Sequence, residues 1–247
     1  MRAGCQIPVE FHMIKSAMTD DSLHSPAARI PFAARFHCSR GELIADGIVH
    51  VLGVVLAISS GSVLLALAAF HADRWEYVGT ISYVASLVTV LSLSAAYNMW
   101  PISPMKQALR RFDHAAIFLL IAGTYTPFLA QMNDLRTARL MLGLVWGAAA
   151  LGIAMKLFLP GRLERVAVIF YLAMGWSGVI VFNSLSVSLP RAALWLIAAG
   201  GIVYSIGVIF HVWQRLRYQT ALWHGCVLLG AALHLVAVMD SLVISRL

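Results

Sequence analysis

Seven apolar stretches, each long enough to cross a bilayer, dominate this chain. They cover about residues 43–70, 77–99, 112–132, 138–159, 164–183, 192–213 and 221–243. A helix needs roughly 20 apolar residues to cross about 30 Å of hydrocarbon. Within each stretch the apolar residues run on without alternating at period two, which predicts helices and excludes a membrane β-barrel. The connections are short and carry helix breakers: Pro101 and Pro104, Pro160-Gly161, and Pro190. The pattern predicts an all-α, polytopic membrane protein, a bundle of seven transmembrane helices. Residues 1–40 mix polar residues, prolines and isolated apolar residues without a period. The expectation there is a poorly ordered cytoplasmic tail, followed by a first helix acting as signal-anchor and a membrane domain over 41–247.

Composition agrees: 60% of the 247 residues are hydrophobic and 12% charged, outside the range of soluble domains. The net charge of +7 does not point to nucleic acid, because the basic residues lie between the spans, where they orient a membrane protein. With seven spans, one side holds Arg2, Lys15, Arg29, Arg35, Arg40, Lys106, Arg110, Arg111, Lys156, Arg162, Arg165, Arg215 and Arg217. The other holds Arg74, Arg136, Arg139, Arg191 and Arg246. The positive-inside rule then predicts a cytoplasmic N-terminus and an outer C-terminus. Cys5, Cys38 and Cys226 are odd in number and widely spaced, so neither a disulfide framework nor a thiolate zinc site is expected. Trp75, Trp100, Trp195 and Trp213 fall near predicted interfaces, and small residues such as Gly143 and Gly147 suggest a close helix crossing.

Against this apolar background the ionisable residues stand out, since a charge at the bilayer centre costs roughly 2.5–3.5 kcal/mol on insertion scales. Glu42, Asp46 and His50 are four apart and share one helix face within about 80°. Ser94 and Asn98 end the second span, Asp113 and His114 open the third, and His224 opens the seventh. Topology brings all of these to the same end. Two readings are open: helix-end polar groups in the headgroup region, Glu42 above all, or a buried site shared by Asp46, His50, Asp113 and His224. His211 ranks lower. His234, mid-span, either lines the same cavity or bonds a neighbouring helix, and Asp240 reads as interfacial. Arg110 and Arg111 read as orientation residues. His and carboxylate groups on facing helices are suitable metal ligands, although no HxxxH or HExxH pair occurs.

The stretch Arg110-Arg111-Phe112-Asp113-His114-Ala115-Ala116-Ile117-Phe118, continuing through Ala122-Gly123-Thr124-Tyr125-Thr126-Pro127-Phe128, resembles the hemolysin III family. Glu42-x3-Asp46-x3-His50, Ser94-x2-Tyr97-Asn98 and Leu222-Trp223-His224 are similar to its other marked positions. That family is the bacterial branch of the progestin and adiponectin receptor superfamily. The resemblance implies seven helices with a cytoplasmic N-terminus in a bacterial inner membrane. It also implies a zinc ion held by one His ending helix two and two His four apart at the start of helix seven. A Ser on helix two and an Asp on helix three support the zinc-bound water. Ser94, Asp113 and His224 match that scheme, whereas Asn98 and Thr220 stand where two of the three His ligands are expected.

The expectation is a non-enzymatic membrane protein that acts in membrane homeostasis or membrane perturbation, cytolytic or pore-like. The bilayer is its partner, with a lipid as ligand and no nucleic acid. The alternative is a zinc-dependent, ceramidase-like hydrolase of an amide lipid, with Asp113, Ser94 or Asp46 as catalytic residues and His224, His50, Asp46 and Asp113 around the metal. A transporter using the same carboxylates lacks the expected inverted repeats.

Overall fold

In the computed structural model, residues 39–159, 163–213 and 215–247 are described. They form seven helical spans, each long and apolar enough to cross a membrane. The helices are α1 (Arg40–His71), α2 (Arg74–Met99), α3 (Pro104–Ala130) and α4 (Leu135–Phe158). The fifth span joins α5 (Glu164–Trp176), a 3₁₀ turn (Ser177–Val181) and α6 (Phe182–Ser188). The sixth and seventh are α7 (Arg191–Val212) and α8 (Gln219–Leu242), the latter closed by a 3₁₀ turn (Ile244–Arg246). Most of residues 1–40, Pro160-Gly161 and Arg162 lie outside the described residues.

The first four helices each start at a side-chain cap. Ser39 caps α1 in a reciprocal box with Glu42, and Asp73 caps α2 in the same way with Glu76. Asp134 caps α4, and hydrogen bonds from the Thr137 hydroxyl and amide hold its exposed carboxyl below the ordinary range. The third helix starts at Pro104, well before the apolar run near 112. Ser103 accepts from the Lys106 amide and Pro104 sits in the first turn, so capping starts the helix before hydrophobicity would. Asp113 and His114 therefore lie about two turns inside α3 and do not open it.

Helices α2 with α3 and α7 with α8 make the most extensive pairs. Helix α1 packs on α2 and α8, and α4 on α3. The fifth span touches α3, α4 and α7 only lightly. Bulky apolar side chains such as Val51, Leu140, Leu151 and Ile169 face outward, as a lipid-facing surface requires. Contacts between ends show the alternation: Glu42 meets Tyr218, and Arg246 meets His71 and Glu76. Trp75, Trp100, Trp195 and Trp213 are all exposed.

The close crossings are not all where the small-residue pattern suggests. A Cβ on Gly79 would sit 3.1 Å from the Pro127 Cα, whose backbone cannot yield. At Gly143 and Gly147, by contrast, a Cβ meets nothing within 4 Å, because both face away from α3. Gly79→Leu is accordingly expected to destabilise by about 2 kcal/mol through overpacking, and Gly143→Leu to be close to neutral. Unfolding in mixed micelles checks the pair; equal losses would refute the assignment.

A break in the fifth span has no proline behind it. The Tyr125 hydroxyl accepts from the Gly178 amide at 2.7 Å and donates toward the Gly175 carbonyl at 2.8 Å. Backbone groups freed inside a bilayer need protein partners, and a tyrosine from α3 supplies them.

Candidate functional site

The site lies at the end of the bundle where α1, α3, α5 and α8 begin and α2, α4 and α7 finish. Asp46 and His50, four apart on α1, are each 4% exposed. Asp46 Oδ1 accepts from His224 Nδ1 of α8 at 2.7 Å, and its Oδ2 lies 3.4 Å from His50 Nε2. The two imidazole rings are 4.3 Å apart at their centroids. Because a carboxylate can only accept, it holds the proton on His224 Nδ1 and leaves Nε2 for another partner. His50 Nε2 is enclosed and has no well-aligned hydrogen bond.

A cavity of about 80 Å³, room for a few waters, opens in front of the two histidines. His50, Ser94, Asn98, Asp113, His114, Thr220 and His224 all line it. Asp46 stands behind the imidazoles, where it orients them. Asp113 is 7% exposed and is among the residues lining the cavity. Thr220 Oγ1 is enclosed without a partner. The Asn98 amide is turned back onto its own helix, donating to the Ser94 carbonyl at 2.9 Å.

Glu42 is a different matter. Its carboxylate accepts from Ser39 and from the Tyr218 amide, so it caps α1 and ties it to the start of α8. Tyr218 holds φ of 59°, the left-handed region, as it turns into α8. Of the three acidic and imidazole groups on that face, only Asp46 and His50 belong to the buried cluster.

The far wall of the cavity carries groups that sequence reasoning missed. Glu164, at the start of α5, receives Lys156 at 2.8 Å, Arg110 at 3.4 Å and His114 at 3.5 Å. Arg110 is thus part of an ion network and not merely an orientation residue, whereas Arg111 is exposed. Lys156 is 6% exposed within an apolar run, and the rule that flagged Asp46 would have flagged it. His211 also lines this cavity. His234 does not; its Nδ1 donates to Gly230 of its own helix and not to a neighbour. Asp240 keeps one enclosed, unpartnered carboxylate oxygen, so it is more buried than an interfacial reading implies.

A model of the haemolysin-III related family matches residues 42–235. The chain belongs to that family. It is 38% identical over 192 residues to a "Hemolysin-3 homolog" of Bacillus subtilis (strain 168), covering 77% of this chain and 90% of the relative. It is 33% identical over 192 residues to "Hemolysin-3" of Bacillus cereus, covering 78% and 88%. Similarity extends to the human "Monocyte to macrophage differentiation factor", 27% identical over 218 residues, covering 85% and 88%, which supports the link to the progestin and adiponectin receptor superfamily. No solved structure matches the chain. For this haemolysin-III related protein the geometry yields one candidate metal group among the described residues. Asp46, His50 and His224 place one ligand atom each within 4.8 Å of one another. A carboxylate with two imidazoles is a donor set that suits zinc and leaves a coordination position open.

Proposed function

We propose that this protein acts on the bilayer itself, in membrane homeostasis or by permeabilising it, through the polar cavity at the cytoplasmic end of the bundle. The observation that carries this reading is the gathering of His50, Ser94, Asn98, Asp113, His114 and His224 around one space. Polar groups in a cavity lower the cost of bringing water, an ion or a lipid headgroup to membrane depth. The names of the two Bacillus relatives point the same way. The charge bias supports a cytoplasmic N-terminus, an outer C-terminus and a bacterial plasma membrane as the location, with residues 1–40 as a tail on the 41–247 membrane domain.

A second reading, a metal-dependent hydrolase of an amide lipid, is favoured by the Asp–His–His group. Asp46, His50 and His224 would hold the metal in place of the ligand set that Asn98 and Thr220 interrupt. Such an ion supplies Lewis acidity and a more acidic bound water. Asp113 and Ser94 line the same space, and in this reading they would hold a proton or a polar substrate atom.

One preparation separates the readings. Purified protein reconstituted in dye-loaded vesicles is expected to release the dye, and metal analysis of the same sample reports zinc per chain. Leakage that persists after chelation supports the first reading. About one zinc per chain, lost in His224→Ala together with turnover of a short-chain amide lipid, supports the second. Vesicles that stay sealed, with neither zinc nor turnover, would sink both.

A further inference from the structure

Deeper in the bundle, past Tyr171, Val208 and Trp223 on the floor of the polar cavity, lies a second void between α3, α5, α7 and α8. It has two adjoining lobes of about 130 and 140 Å³, and both are lined by Tyr125, Trp176, Gly201 and His234. No Asp, Glu, Lys or Arg borders either lobe among the described residues. A charged headgroup would therefore be buried there without a partner, which is costly.

The lining is mostly apolar, with Thr124, Tyr125, Tyr171, Tyr204 and Ser205 as polar side chains and His234 as its one imidazole. His234 is 8% exposed, and its Nδ1 donates to the Gly230 carbonyl at 2.8 Å. Because a carbonyl only accepts, Nδ1 carries the proton. Nε2 of the neutral ring is then an acceptor, and it has no partner among the described residues. The ring is fixed on both sides. Tyr204 stacks on it at 5.4 Å between centroids, and it lies so close to Gly200 that a Cβ there would clash with it. The Thr124, Tyr171 and Ser205 hydroxyls already donate to backbone carbonyls within the protein. A buried, oriented, unused imidazole acceptor in this uncharged void therefore favours an uncharged ligand that brings a hydroxyl.

Size and surroundings narrow the ligand further. An engineered apolar void of about 150 Å³ takes up benzene, so each lobe suits one aromatic ring. Tyr125, Trp176 and Tyr204 offer aromatic walls for offset or edge contacts. Helices α5 and α7 touch only lightly, and between them Trp176 Nε1 donates to Ser205 Oγ at 3.1 Å. Trp176 is 41% exposed, so the rim of the void faces the lipid.

We propose that this void binds a neutral, hydroxylated aromatic ring carried on a hydrophobic tail, a phenolic or quinol lipid. Its hydroxyl donates to His234 Nε2, and its tail leaves between α5 and α7 beside Trp176. The site is independent of the polar cavity and of any metal there.

The test uses full-length protein in nanodiscs and a 4-alkylphenol with a photoreactive diazirine in its tail. Saturable labelling of α5, α7 and α8 is expected, competed by 4-nonylphenol. The methyl ether, 4-nonylanisole, should compete about tenfold less well, the worth of one buried hydrogen bond. His234→Leu should weaken the phenol by a similar factor, and Ala198→Trp, which fills a lobe but leaves His234 in place, should abolish labelling. Equal competition by phenol and anisole in the wild type would overturn the proposal whatever the variants do. So would non-saturable labelling, or labelling unchanged in both variants. An isoprenoid benzoquinol competing better than ring-only hydroquinone supports a membrane lipid as the source; the reverse order would refute the lipid tail.

Discussion

Asp46→Ala is expected to lower the unfolding free energy by about 3 kcal/mol and to reduce whichever activity the polar cavity carries by at least tenfold. The carboxylate is enclosed and serves two imidazoles from different helices. Its removal leaves the enclosed His224 Nδ1–H without its acceptor, the costly half of breaking a buried pair. It also frees the His224 ring to rotate, so Nε2 no longer faces the cavity in a fixed orientation. Glu42, one turn earlier on the same face, provides the internal control. It is a cap, so Glu42→Ala should cost only about 1 kcal/mol and leave activity intact. Denaturation in micelles, followed by helical circular dichroism, gives both stabilities, and vesicle leakage or zinc content gives both activities. Equal effects from the two variants would return Asp46 to the headgroup-region reading.

The second large effect lies at the opposite end of the bundle. Arg246 grips Glu76 through both carboxylate oxygens, at 2.7 and 2.8 Å, and donates to the His71 carbonyl at 3.0 Å. Glu76 also closes the cap of α2, so one side chain joins the start of α2 to the end of the seventh span. Two-pronged Arg–carboxylate geometry is stronger and more directional than a single contact. The Glu76 side chain is 8% exposed and that of Arg246 33%, so solvent screens one partner. Breaking the pair should cost about 2 kcal/mol, below the 3–5 kcal/mol of a fully enclosed pair. Glu76→Ala costs more than Arg246→Ala, because it removes the cap and strands the arginine. A double-mutant cycle on unfolding should return a coupling of about 1–2 kcal/mol. Additive losses would mean that the C-terminal turn is held by packing alone.

The spans were legible because each rests on a one-dimensional property, a run of apolar residues as long as a bilayer is thick. The start of α3 was misplaced for the converse reason. Ser103 and Pro104 begin a helix by local hydrogen bonding and a fixed φ, and hydropathy does not register either. The same limit hid the break after Trp176, whose partner Tyr125 is about fifty residues away in sequence. At the site, intramembrane charge pointed to Asp46, His50, Asp113 and His224, and all four are buried at one end of the bundle. Spacing alone does not separate Glu42 from them, because it is identical for a cap and for a buried ligand. The place of Glu42 at the very start of the span favoured the helix-end reading, and its bonds to Ser39 and Tyr218 give it the cap role. Glu164 was passed over because it looks like another helix-end acid, and only the arrival of Lys156, Arg110 and His114 distinguishes it.

Sequence by itself thus determined the all-helical, seven-span architecture and, through the motifs around Asp113 and His224, the family. The architecture follows from transfer energies and periodicity, which act residue by residue. The tertiary structure alone decided who meets whom. It turned Asn98 back onto its own helix, set Asp46 between two histidines, and put His234 in the lining of an uncharged void. Those outcomes depend on distances of a few ångströms between helices far apart in the chain. No pattern along one helix encodes how its neighbours will pack.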